Sequence, residues 1–176
     1  MCLEKYRQSV EENAKRDESF QFLNKSADRA AIVLGTAFKT EPDEILMFSG
    51  KLSDDVIGNP QYCYHHFTKF LESGKSFKLL LEKAPEKPGQ CLLDVLKAAK
   101  ESENIEVKIA DPEFVELFKG DDDNTPHFAV FNENGYRFEV SPDNFQALVD
   151  FFDPERAKSF KKIFTKAFEI GISYQP

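Results

Sequence analysis

Hydrophobic residues along this chain change their spacing repeatedly, and each change marks an element. After Ser26, whose hydroxyl can cap free backbone N–H groups, Ala30, Val33, Leu34, Ala37 and Phe38 keep one helical face apolar until Pro42 stops the run. Glu44-Ile45-Leu46-Met47-Phe48-Ser49-Gly50 is continuously apolar over a short length, which predicts a strand covered on both faces. Cys63, His66, Phe67, Phe70 and Leu71 form a helical stripe that ends at Gly74. Phe77 to Leu81 reads as a second buried strand, and Leu92, Leu93, Val95, Leu96 and Ala99 as the next helix. Ile105, Val107 and Ile109 alternate as a third strand, and Asp111-Pro112 is a cap followed by a favoured first helical residue.

The period then falls to two. His127 to Phe131 predicts a short strand, and Asn134-Gly135 is a strong hairpin signal. On the returning strand Tyr136, Phe138 and Val140 share one face, while Arg137 and Glu139 share the other. Asp153-Pro154 repeats the cap-plus-proline start, and Ala157, Phe160, Ile163, Phe164, Ala167 and Phe168 line a long helix. These elements predict an α/β fold with a mixed sheet of about five or more strands flanked by helices, parallel strands first and an antiparallel hairpin completing or edging the sheet. Leu3, Tyr6 and Val10 lie at helical intervals in a charged stretch. Residues 1–25 are therefore set apart as an N-terminal helical appendage, and residues 26–176 as the α/β domain.

Composition narrows the function. The 176 residues fit one domain, and 18 phenylalanines with no tryptophan can supply most of a core. A net charge of −8 repels a polyanion at long range and makes nucleic acid the less favoured partner. Lys158, Lys161, Lys162 and Lys166 read as the wet face of the last helix. Cys2, Cys63 and Cys91 show no C-x-x-C spacing, so neither a zinc knuckle nor a disulfide framework is expected. No segment has the length of a membrane span or the look of an export signal, and the expected location is the cytoplasm. Glycine-rich phosphate loops are missing, so no cofactor is expected, and no metal site is expected either.

Candidate chemistry centres on His127-Phe128-Ala129-Val130-Phe131-Asn132-Glu133-Asn134, which has the spacing of an H-x-K-x-x-x-x-D box. With the element order of residues 27–170, this run resembles the phospholipase D-like superfamily in a degenerate, single-motif form. The resemblance implies that His127 stands where the family's phosphorus-attacking nucleophile stands. Ala129 occupies the place of the phosphate-binding lysine, and Asn134 that of the aspartate. The family's G-S-x-N element would fall at Ser141-Pro142-Asp143-Asn144, with no glycine before the serine and the asparagine one step late. Because active single-motif relatives pair two histidines across a dimer, a homodimer is implied by resemblance.

Losing the lysine removes charge stabilisation of the non-bridging oxygens, the main source of rate in such transfers. The expected function is therefore a non-catalytic binding or regulatory domain with a protein partner. The alternative is a phosphodiesterase or nuclease using His127, with a cation donated by Lys51, Lys83 or, best placed, Arg137. A third reading makes the chain an oligomerisation module that uses residues 1–25 as its contact. Asn134, Arg137, Ser141 and Asn144 are the candidate binding residues, and Glu133, Glu139 or Asp143 could orient the histidine. Ser49, Gly50, Lys51 and Ser53 could rim a pocket at a strand end. His66 is expected to be buried, and Asp121-Asp122-Asp123-Asn124 to be a solvated loop.

Overall fold

The computed structural model describes residues 2–120 and 124–174. Asp121 to Asp123 of the acidic run lie outside the described residues. Helix α1 (Leu3–Asn13) is followed by β1 (Phe22–Lys25), α2 (Ala27–Lys39), β2 (Glu44–Ser49), α3 (Tyr64–Glu72), β3 (Ser76–Leu81), α4 (Gln90–Glu101) and β4 (Ile105–Ile109). Then come α5 (Pro112–Phe118), β5 (His127–Phe131), β6 (Gly135–Ser141), a 3-10 turn (Pro142–Asn144), β7 (Gln146–Asp150), α6 (Pro154–Ile170) and β8 (Ile172–Ser173). The strands form one mixed sheet in the order β1-β7-β6-β5-β2-β3-β4-β8. β2, β3 and β4 run parallel through helical crossovers, and β5 joins β2 antiparallel.

Both faces of the sheet are covered, as the unbroken apolar runs of β2 and β3 require. On one face Ile45, Met47, Leu79, Ala129 and Phe131 pack with α2, α3 and α4 around Phe38, Phe67 and Phe77. On the other, Leu46, Phe48, Leu80, Phe128 and Val130 meet Val115 of α5 and Ala157, Phe164 and Phe168 of α6. The caps read from sequence form. Ser26 Oγ accepts from the Arg29 amide at 3.3 Å, Asp111 Oδ1 from Glu113 at 2.8 Å, and Asp153 Oδ1 from Arg156 at 3.1 Å.

The structure departs from the sequence pattern in five places. The hairpin β5–β6 lies inside the sheet, because β7 and β1 extend it further on that side. Residues 22–25, grouped by pattern with the N-terminal segment, form the edge strand β1 and pair with β7. Helix α1 packs through the buried Tyr6 and Val10 against Ile32, Val33 and Val149. The turn after β5 places Asn132, not Asn134-Gly135, in the left-handed region (φ 59°). Gly135 is needed for space instead, since a Cβ there would lie 2.4 Å from the Phe131 ring. His66 is half-buried rather than buried, because the stripe of α3 turns Phe67 and Phe70 inward ahead of it.

Candidate functional site

His127 opens β5, and side chains of alternate residues on a strand share a face. In the antiparallel β5–β6 ladder His127 is opposite Glu139, and Ala129 is opposite Arg137. All four therefore look toward the α2 side of the sheet. One strand pair further, Glu139 is opposite Ala147, which is opposite Asn24 of β1. A polar row thus crosses an otherwise apolar face.

Contacts within the row are close. His127 Nε2 lies 3.1 Å from Glu82 Oε2, and its Nδ1 lies 3.4 Å from Glu139 Oε2. Glu82 follows the last residue of β3, and Thr125 Oγ1 donates to its other oxygen at 3.4 Å. Arg137 Nη2 donates to Glu139 Oε1 at 2.9 Å and its Nε to Asn24 Oδ1 at 3.2 Å. Asn24 is fully buried and donates in turn to the Phe145 carbonyl. Gly50 makes the histidine's seat, since a Cβ there would stand 2.9 Å from His127 Cε1.

The charges in this row set one another's protonation. Burial of the His127 ring pushes its pKa down, but the hydrogen bonds and charges of Glu139 and Glu82 outweigh it, and the net shift is upward. Glu82 is held below the usual carboxylate range chiefly by its bond to His127. Burial pushes Glu139 up, and the bonds to His127 and Arg137 more than reverse that. Only an imidazolium has a proton for each of the two carboxylates. With the ring protonated, the row holds two cations and two anions in a compact network.

This network borders a cavity of about 330 Å³. His127, Ala129, Arg137 and Glu139 line it from the sheet, and Ser49, Gly50, Lys51 and Ser53 from the loop after β2. Leu34, Met47, Leu52, Val56, Ile57 and Phe145 supply apolar walls.

Of the residues singled out from sequence, His127 and Arg137 come together here. Ser141 and Asn144 bond to each other, Asn144 Nδ2 donating to Ser141 Oγ at 3.2 Å, and neither lines the cavity. Asn134 lies in the turn at the opposite end of β5 from His127, where its carbonyl accepts from the Asp153 amide at 2.6 Å. It does not face the histidine. Glu139 was legible as an orienting group. Glu82 and Asn24 were not, because only sheet formation brings residues 45 and 113 positions distant to His127 and Arg137.

The same arrangement of elements occurs in solved proteins. Nuc from Salmonella typhimurium, described as a phospholipase D family member, superposes with a TM-score of 0.63 over 90% of this chain and 100% of its own, at 12% identity. The fold is phospholipase D-like. NucT from Helicobacter pylori matches with a TM-score of 0.62 over 89% of this chain and all of its own, at 11% identity. TrmBL2, an archaeal chromatin protein with a novel mode of DNA binding, matches with a TM-score of 0.56 at 18% identity, over 88% of this chain and 53% of its own. No protein-family model and no curated protein matches the sequence. Within this phospholipase D-like fold, His127 occupies the start of the strand that carries the motif-like run, and Ala129 leaves the position two residues on without a charge. Among the described residues no helix is long and apolar enough to cross a membrane.

Proposed function

We propose that this chain is a non-catalytic binding domain built on the phospholipase D-like fold, and that its partner is a protein. The observation that carries this reading is the engagement of both His127 nitrogens, by Glu82 at 3.1 Å and by Glu139 at 3.4 Å. A nucleophile must present a free lone pair to phosphorus, and an imidazolium held between two carboxylates presents none. Arg137, the cation nearest in register, is committed to Glu139 and Asn24. A binding role on this fold is supported by TrmBL2, described as a chromatin protein with a novel mode of DNA binding, about half of whose chain has the same arrangement. The net charge of −8 favours a partner with a basic surface.

The test is turnover of bis-nitrophenyl phosphate by the purified chain. No turnover that depends on His127 is expected. Robust hydrolysis abolished by His127→Ala would overturn the reading.

One observation favours a second reading, phosphodiester or nucleic-acid hydrolysis with His127 as nucleophile. Arg137 faces Ala129 across the ladder and so brings a guanidinium to the side of the missing lysine. The homodimer belongs to this reading, because each chain carries a single such histidine.

A further inference from the structure

The charged groups around the cavity beside His127 answer one another. Lys51, Arg137, His127, Glu139 and Asp143 line it, and Glu82 is bonded to the His127 ring at 3.1 Å. With the ring protonated, this set holds three cations and three anions, so the lining is electrically neutral. Its buried members are also committed to each other. Arg137 bonds to Glu139 at 2.9 Å and to Asn24 at 3.2 Å, and His127 engages both carboxylates. Lys51 and Asp143 are exposed, at the rim. Among the described residues, the buried side-chain polar atoms without a hydrogen-bond partner are Tyr6 Oη and Arg7 Nε, and neither lines this cavity.

The remaining walls are apolar. Leu34 comes from α2, Met47 from β2, Leu52, Val56 and Ile57 from the loop after β2, and Phe145 from the β6–β7 connection. Leu52 and Phe145 each hold φ 52°, a left-handed conformation that bulky residues rarely adopt. The Leu52 amide donates to Ser49 Oγ at 3.1 Å, and the Phe145 carbonyl accepts from the buried Asn24. Two uncommon backbone turns thus bring an aliphatic and an aromatic side chain to the same space. Strain of this kind concentrates where the surrounding structure holds a site in shape.

We propose that this cavity binds an uncharged, predominantly apolar small molecule of about ten non-hydrogen atoms. An ion of either sign would give up its water and meet charges that are already balanced and bonded, with no counter-charge left for it. A sugar or other polyol would bring hydroxyls to aliphatic walls that offer them no partner. An apolar body gains by leaving water and requires nothing from the charged row. The size follows from the volume. The cavity measures about 330 Å³, a little over twice the roughly 150 Å³ that accommodates benzene. This site goes beyond the protein-partner reading and does not depend on it.

The test is calorimetric titration of the full chain at about pH 6, below the ordinary imidazole value, with octanamide, octanoate, octylamine and octyl phosphate. The four probes share one tail and differ in charge. Octanamide is expected to bind roughly tenfold or more tightly than each of the ions. Ser53→Trp fills the space from a half-buried loop position, and is expected to weaken octanamide by a similar factor while circular dichroism confirms the fold. Lys51→Gln and Asp143→Asn change exposed rim residues and keep the fold testable in any case. Each unbalances the lining by one charge, so Asp143→Asn should narrow the gap to octanoate and Lys51→Gln the gap to octylamine, with octanamide unchanged in both. An ion that binds the parent as tightly as octanamide, no octanamide binding at millimolar concentration, or a folded Ser53→Trp chain that binds octanamide like the parent would each overturn the proposal. The nitrophenyl phosphate assay reads a different claim. Hydrolysis lost in His127→Ala would sink the non-catalytic reading and leave this site standing, and failure of octanamide would do the reverse.

Discussion

Ala129 and Arg137 stand opposite each other on neighbouring strands, so the guanidinium rises from the strand next to the one where a lysine would be expected. Moving the charge across the ladder changes what it can do. On its own strand, two residues from the histidine, a lysine would share the histidine's face and could reach the same phosphate. From β6, Arg137 is instead the immediate neighbour of Glu139 and bonds to it. The cation becomes part of the scaffold that holds the histidine.

Removing that scaffold should be costly. Arg137 is 8% exposed and Glu139 10%. Arg137→Ala leaves a buried carboxylate with one cation fewer and Asn24 Oδ1 without its donor, and should destabilise by about 3–5 kcal/mol. Arg137→Lys keeps the charge but not the fork, and should cost less. Urea unfolding of the three proteins checks the order; an alanine variant as stable as the parent would show that the network contributes nothing.

Stability should depend on pH in a stated direction. The folded pKa of His127 lies above the ordinary imidazole value of 6.5. Its contribution is therefore fully present below 6.5 and is lost as pH rises through the folded value. Glu82 and Glu139 are depressed below the ordinary carboxylate value of 4.5, so their contributions are present above 4.5 and are lost as pH falls through the folded values. Denaturation midpoints across pH should give a maximum in the mildly acidic range. His127→Gln should flatten the alkaline limb; a parent curve rising from pH 6 to 8 would contradict this assignment.

Gly50 offers a test of the histidine's seat. A Cβ at this position would press on His127 Cε1 at 2.9 Å and Nε2 at 3.1 Å. Gly50→Ala should displace the ring from Glu82 and destabilise by about 1–3 kcal/mol. The imidazole nitrogen resonances in NMR should shift with it, and unchanged resonances would place the ring elsewhere.

The N-terminal helix gives a pair of opposed outcomes. Tyr6 is buried, its Oη has no hydrogen-bond partner, and burial pushes its pKa up to about 12. Removing an unpaired hydroxyl relieves a desolvation cost, so Tyr6→Phe should be neutral or slightly stabilising. Tyr6→Ala empties the contact with Val33 and Val149 and should cost about 3 kcal/mol. Thermal unfolding checks both. If the alanine variant keeps its stability but changes its mass in solution, α1 serves as an intermolecular contact.

Much of the fold was legible because burial imposes pattern. The strands β2 and β3 lie between two helical layers, so their runs had to be apolar on both faces. Asp111-Pro112 and Asp153-Pro154 announced α5 and α6 because those residue types suit the first turn. What escaped notice was set by distant partners. β1 reads Phe-Leu-Asn-Lys, and its inward position is the polar Asn24, tolerated only because Arg137 donates to it. β7 reads Gln-Ala-Leu-Val-Asp, polar at both ends and one residue beyond a 3-10 turn, so no apolar alternation marks it. In the site, alternation placed Arg137 and Glu139 on one face correctly. Which face, and whether His127 shared it, depended on a ladder register closed by Asn132 rather than Asn134-Gly135.

The outermost strands β1 and β8 occupy opposite margins of the sheet, seven spacings of about 4.8 Å apart. A pulling force applied at both ends of the chain would first peel these margins, where β8 contributes only two residues to its ladder. The seam between β2 and β5, against which His127 rests, would be sheltered from that tension until the margins had come away. An atomic-force trace should therefore begin with low-force unzipping and finish with a stiffer central event.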